Sequence, residues 1–522
     1  MSILRILALM LLAGLFIYPL GRLLVLPLWV YGGAGLALVP FRNSVMFALA
    51  VGLIVAPLGA LLAHALENRD GLLVRALGLV LWLLFLTPGY VLTTGWLAVL
   101  TVPLLRNGVF GHWFLGPGGL LFLYALKSLP FSVFVARSTF AEAGAGLMEA
   151  ARVLGVAPWR RHMLNIRLAL PAMAAAFTIA GIETMQEFGI PATLGVTARI
   201  PVLTYEIYSR LNTTPTDFAG AALLCWWLIG SAAMLAILQA AVQRRHLAAL
   251  VSGRTRRIIR TAPGKAGRLG LGAGLVVLGG LGLLVPFASL AQIALTGGDL
   301  TWGNLDAVPR SLGYGMLAAT VALSVGLAVL KLQRGRSLWF NGVLQGLLAA
   351  NMAVPGLILG AGYVLAFNND FLPLYGTVSL LIIAYAAGVL PIGIRLLGTA
   401  FSQLDVKLTE AARIFALPVS TRLIDIEAAL LARPGLYAWM LVVAAVMFEL
   451  PISELLYVPG ATPLGVAIVS ADMMANYGQA AQLALLGMMV LAAMTGGLLL
   501  ALQLTHAPRA VAEQSLPHGS VT

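Results

Sequence analysis

The sequence predicts an all-α integral membrane protein of about twelve transmembrane helices, built as two parallel six-helix repeats. Three observations predict it: an apolar surplus, twelve long apolar runs, and short motifs that return at nearly constant spacing. Of 522 residues, 60% are hydrophobic and 10% are charged, against roughly 45–50% and about 25% in a soluble domain. A single soluble core stops growing at roughly 250–300 residues, so a surplus of this size calls for lipid as solvent. The mean hydropathy of +0.96 agrees.

Several chemistries fall away at once. Cysteine occurs once, as Cys225, which leaves no disulfide framework and no Cys-based metal site. His64, His112, His162, His246, His506 and His518 stand too far apart for a local metal-ligand pair. No metal, no cofactor and no catalytic residues are expected. The net charge of +13 would suggest nucleic acid in a soluble chain. Here the charge lies in short loops between apolar runs, so no nucleic-acid partner is expected.

A helix needs about 20 apolar residues to cross a hydrocarbon core of roughly 30 Å. The runs cover residues 3–31, 44–66, 72–100, 118–137, 168–190 and 219–242, then 268–294, 311–331, 338–367, 374–396, 429–448 and 479–504. The first is too long for a signal-peptide core and counts as a helix. Continuous apolarity, without ten-residue alternation, argues against β-strands.

Orientation follows from Lys and Arg. One set of loops holds Arg69, Arg152, Arg160, Arg161, Arg167, the run after residue 243, Lys331, Arg334, Arg336, Lys407, Arg413, Arg422 and Arg433. The opposite set holds Arg42, Arg106, Arg199, Arg210 and Arg310. The positive side faces the cytoplasm, which puts both termini of this multi-pass chain there. Lys127 falls inside a run and is expected to snorkel or to pair with an acid.

The chain divides into a first half, 1–245, a basic linker, 246–267, a second half, 268–506, and a disordered tail, 507–522. The linker suits contact with anionic membrane lipid. Its Gly264-Lys265 is not a phosphate cradle, because G-x-x-x-x-G-K-[ST] occurs nowhere in the chain. Any ATP hydrolysis belongs to another polypeptide.

The halves are a duplication. Asn43-Ser44 corresponds to Arg310-Ser311, and Pro88-Gly89 to Pro355-Gly356, both at an offset of 267. Pro130 corresponds to Pro391, and Glu149-Ala150-Ala151-Arg152 to Glu410-Ala411-Ala412-Arg413, both at 261. Glu187 corresponds to Glu449 at 262. An even number of spans per repeat inserts both halves the same way, about a pseudo-two-fold axis along the membrane normal.

The loop between the fourth and fifth spans carries the clearest signal. Its copies read EAGAGLMEAARVLGVAPWRRHMLNIRLALP and SQLDVKLTEAARIFALPVSTRLIDIEAALLARP. Each offers an amphipathic helix, a turn at Gly155 or at residues 416–418, and a second charged helix. Small alanines admit a close partner, and the turn exposes a helix end. A soluble protein could grip each loop as a socket grips a ball.

This arrangement resembles the EAA loop of type I ABC transporter permeases, E-A-A-x-x-x-G-x9-I-x-L-P. Glu149, Ala150, Ala151 and Gly155 match in the first copy, whose Leu170-Pro171 comes three positions late. Glu410, Ala411, Ala412 and Ile426 match in the second, where Ala416 replaces the glycine and Ala428-Ala429 replace Leu-Pro. The segments MQEFGIPATLGVTARIPVLTYEIYSR and MFELPISELLYVPGATPLGVAIVS resemble those of fused ferric-iron and thiamine permeases. The resemblance implies a type I ABC permease fold that couples through residues near 149–155 and 410–416. It also implies a homodimeric cytoplasmic ATPase and an extracytoplasmic solute-binding protein as partners, and ferric iron, thiamine or another small nutrient as solute.

Glu183, Glu187, Glu449 and Glu454 lie in or beside the fifth spans. A membrane carboxylate normally faces protein or a watery cavity. These four are candidates for the translocation path, and the alternative is a hydrogen bond to a neighbour such as Gln186. A twelve-helix ion-coupled secondary transporter accounts for spans and acids but not for the paired loops. A membrane enzyme would need a clustered catalytic constellation, and none stands out in the sequence.

Overall fold

The computed structural model describes residues 3–29, 37–142, 151, 153–247, 262–297, 305–333, 338–402, 414–415, 418, 421 and 428–504. The described chain is helical, with no strand among those residues. The helices of the first half are α1 (Ile3–Leu24), α2 (Leu38–Asn68), α3 (Leu72–Leu86), α4 (Gly89–Val99), α5 (Pro117–Glu142), α6 (Pro158–Gln186), α7 (Leu203–Asn212) and α8 (Phe218–Leu247). Those of the second are α9 (Gly267–Thr296), α10 (Ala307–Gln333), α11 (Leu338–Ala353), α12 (Gly356–Phe367), α13 (Val378–Ser402), α14 (Ala429–Met447), α15 (Leu464–Met473) and α16 (Tyr477–Leu504). Among the described residues nine helices are long and apolar enough to cross a membrane, or ten when α3 and α4 count as one broken span. Of the twelve expected runs, the remaining two are α6, whose first turns carry Arg160, Arg161 and Arg167, and the divided α11–α12 pair.

Within each half a three-helix core forms around small residues. In α2 the buried face is Ala48, Val51, Gly52, Val55, Ala56, Gly59, Ala60 and Ala63, spaced three or four apart, and it packs against α5 and α6. In α10 the face is Gly315, Ala318, Ala319, Ala322 and Gly326, which packs against α13 and α14. Lipid tails are as apolar as leucine, so membrane helices associate where small residues let backbones approach. The outward faces carry large apolar side chains such as Leu53, Leu61, Ile237 and Leu284, which suits contact with hydrocarbon.

The third span of each half is the main departure from expectation. Residues 72–100 and 338–367 read as continuous apolar runs, but Pro88-Gly89 and Pro355-Gly356 divide them. Proline supplies no N–H and disfavours helix for the residue before it. Thr87 and both prolines are extended accordingly, with ψ between 122° and 147°. The chain bends by 99° between α3 and α4.

The halves interlock through their first helices. α9 crosses to pack on α4, and α1 crosses to pack on α12. Each first helix carries a π-turn at the same place, Ala13–Ile17 and Gly280–Leu284. At the crossings Gly95 lies against Pro286 and Gly362 against Pro19. Trp96 Nε1 donates to Leu281 O (3.2 Å), and Tyr363 OH donates to Leu15 O (3.0 Å). Duplication at the level of sequence is thus repeated as two equivalent crossings.

Candidate translocation site

Each half builds the same device where its broken third span meets the end of its fifth. In the first half α6 ends at Gln186, and Glu187 leaves the helix with ψ 129°. Its carboxylate turns back to cap the segment that follows: Gly189 N–H and Ile190 N–H donate to Glu187 Oε1 at 3.0 and 3.3 Å. In the second half Ile452 N–H donates to Glu449 Oε1 (2.8 Å), and Ser453 N–H donates to Glu449 Oε2 (3.0 Å). A carboxylate accepting backbone N–H groups at a helix start satisfies donors that have no intrahelical partner. The glycine after each Pro makes room: a Cβ on Gly89 would strike Glu187 Oε1, and one on Gly356 would lie 3.4 Å from Glu449 Oε1.

A second pair of equivalent bonds fixes the segment beyond. Leu203 N–H donates to Ser44 Oγ (2.8 Å), and Leu464 N–H donates to Ser311 Oγ (2.6 Å). Ser44 and Ser311, read in the sequence only as markers of duplication, anchor the starts of α7 and α15. Residues 191–218 and 449–478, which lie between the expected spans, contain α7, α15 and the short helix Pro451–Leu456. Their apolar stretches are too brief to register as spans.

Beyond this shared frame the halves differ. Among the described residues Lys127 has no acid within ion-pair distance; its Nζ donates to Phe85 O (3.2 Å) and Thr87 O (2.8 Å). Those are carbonyls at the end of α3 that lose their helical partners at the break. The second half has Gly388 at that place. Tyr90, buried in α4, donates from its hydroxyl to Phe448 O across the seam between halves (3.3 Å). Glu454 also bridges the halves: Tyr208 OH donates to Glu454 Oε2 (3.0 Å), and Asn212 Nδ2 donates to Tyr208 OH (2.7 Å).

The four predicted acids therefore do three things. Glu187 and Glu449 hold the breaks, Glu454 ties one half to the other, and Glu183 lines a cavity with Lys127 and Glu187. Sequence reasoning passed over Tyr90, Tyr124, Tyr208 and Tyr385, because a tyrosine in an apolar run carries no pattern that separates core from site. Of the predicted coupling residues, Glu149, Ala150, Glu410, Ala411, Ala412 and Ala416 lie outside the described residues. Ala151 and Gly155 are described. Gly155 has φ +65°, and Val156 N–H donates to Ala151 O (3.0 Å) across it. That is a Schellman-type helix end with glycine in the left-handed position. Among the described residues, nothing lies within 4 Å of the place a Gly155 side chain would occupy.

Comparison with known proteins agrees with this architecture. Residues 55–247 match the family model described as binding-protein-dependent transport system inner membrane component. A putative ferric transport system permease of Haemophilus influenzae is 26% identical over 325 residues, 58% of this chain and 50% of its own length. The ferric transport system permease of Actinobacillus pleuropneumoniae is 24% identical, over 58% of this chain and 46% of its own. A probable ABC transporter permease of Sinorhizobium fredii is 25% identical over 394 residues, 71% of this chain and 69% of its own. The chain thus spans about half the length of the two ferric permeases it matches. No solved structure matches it. In its helical membrane architecture and in its matched segment 55–247, the chain is thus similar to ABC transporter permeases, ferric permeases among them.

Proposed function

We propose that this chain is the membrane-spanning subunit of an ATP-driven importer, with both halves of the translocation path in one polypeptide. The observation that carries the reading is the paired loop: Glu149-Ala150-Ala151 and Glu410-Ala411-Ala412 follow the fourth span of each half, on the side rich in Lys and Arg. Two copies of a docking loop suit a homodimeric cytoplasmic ATPase, one subunit to each loop. An extracytoplasmic binding protein delivers the solute on the opposite face, and the basic linker rests on anionic lipid. The chain itself carries out no hydrolysis.

Closure of the two ATPase subunits would draw the loops together, and the loops would carry that motion into α5, α6, α13 and α14. The halves then rock about the seam that Tyr90 and Glu454 bridge. Ferric iron is the favoured solute, because two relatives are named as ferric permeases. The test is reconstitution of the full-length chain with its ATPase and binding protein in proteoliposomes. ATP-dependent accumulation of ferric iron supports the reading. Uptake driven by a sodium or proton gradient without ATP contradicts it and supports a secondary transporter.

A further inference from the structure

The duplicated frame holds two equivalent, partly open cavities, each about 190 Å³, behind the two helix breaks. Tyr124 and Glu187 in the first correspond to Tyr385 and Glu449 in the second. The remaining walls differ. Lys127, Ser128, Glu183 and Thr184 line the first, where Gly388, Val389, Ala445 and Val446 line the second. Both walls keep one tyrosine and one glutamate, and the first adds an ammonium, a second carboxylate and two hydroxyls where the second has Gly388, Ala445, Val389 and Val446.

Oxygen-bearing side chains line the first cavity. Ser128 Oγ donates its proton to Tyr124 O (2.8 Å), and Thr184 Oγ1 donates to Ala180 O (2.7 Å). Both hydroxyls therefore present only acceptors to anything else. Glu183 Oε2 is buried and has no hydrogen-bond partner among the described residues. Two carboxylates and one ammonium leave a formal charge of −1, and Lys127 is turned toward the α3 carbonyls. An ionised carboxylate oxygen enclosed in a membrane protein needs a compensating charge. A water takes about 30 Å³ of liquid volume, so 190 Å³ holds an ion with several of its waters.

We propose that the first-half cavity binds one monovalent metal cation, sodium or potassium, through Glu183 and the Ser128 and Thr184 hydroxyls. Hard cations take oxygen ligands of this kind. With both carboxylates ionised, the single net negative charge matches one positive charge and not a di- or trivalent ion. The second half binds none, because Ala445, Val446 and Val389 remove the donors.

The test uses the full-length chain in lipid nanodiscs, by radiolabelled sodium binding and by thermal unfolding in NaCl, KCl and N-methyl-glucamine chloride at equal ionic strength. One ion per chain and a saturable rise in Tm with NaCl or KCl over N-methyl-glucamine are expected. Glu183→Gln, which keeps the shape, should flatten the salt response. Glu183→Asp should retain it with affinity weaker by about tenfold. Equal Tm in all three salts overturns the proposal, as does a full response in Glu183→Gln. A response to pH alone would assign Glu183 a proton in place of a metal ion and also overturns it. Were Glu183 only a counter-charge to Lys127, Glu183→Gln would lose stability equally in every salt, the third contrary result.

Discussion

Gly89 and Gly356 occupy equivalent positions, yet the space around them differs in a way that sets unequal tolerance. A Cβ on Gly89 meets the Glu187 carboxylate, whereas one on Gly356 finds ordinary contact at 3.4 Å. Gly89→Ala should therefore destabilise by about 2 kcal/mol, the usual cost of overpacking, and Gly356→Ala by less than about 1 kcal/mol. Thermal unfolding in nanodiscs measures both, and equal losses would refute the asymmetry. Gly155 poses a different constraint, since no described residue crowds it and its left-handed backbone resists a side chain. Gly155→Val should cost about 1–2 kcal/mol in that turn and lower recovery of an assembled ATPase complex, with wild-type recovery as the contrary result. The sequence displays Gly155 plainly, because the EAA pattern requires a glycine there. It hides why Gly89 is a glycine, because the colliding carboxylate is 98 residues away.

At the scale of elements, the crossing of α9 over α4 and of α1 over α12 holds the halves together. Both crossings use backbone-to-backbone approach: a Cβ on Gly95 would lie 2.8 Å from Pro286 O, and one on Gly362 2.7 Å from Pro19 O. Backbone cannot swing aside as a side chain can. Gly95→Ala and Gly362→Ala should each cost about 1–3 kcal/mol, and the double variant should sum the two, because the crossings share no residues. Denaturation of the three proteins in mild detergent checks this; a silent double variant contradicts it. Apolar length made ten of the twelve expected runs legible as spans, the broken α3–α4 pair among them, whereas the repeated Pro-Gly reads in the sequence only as a mark of duplication. The sharp bend itself was not legible, since Leu-rich sequence on either side of a proline reads as one run. Nor were α7 and α15, whose stability comes from the Ser44 and Ser311 anchors rather than from their own length.

For the whole molecule, the acids of the fifth spans separate structure from transport. Glu187 and Glu449 each accept two backbone N–H groups, so glutamine preserves one carbonyl acceptor and loses the charge. Hydrogen bonds to a charged acceptor are worth about 1.5–3 kcal/mol against about 1 for neutral ones, and Glu187→Gln or Glu449→Gln should lose about 1–2 kcal/mol of stability. If these carboxylates also line the path of a cationic solute, uptake should fall beyond what the lower amount of folded protein explains. Uptake that tracks folded protein would leave them purely structural.

The central claim is that two equivalent cytoplasmic loops couple this chain to a separate ATPase. Purifying the full-length chain from its own membranes, as wild type and as the Glu149→Lys/Glu410→Lys double variant, tests it most directly. The wild-type preparation should carry two ATPase subunits per chain and hydrolyse ATP. The double variant should insert and fold normally, yet lose both the subunits and the hydrolysis. A wild-type chain without an ATPase, or a double variant that retains two subunits and full hydrolysis, would contradict the account.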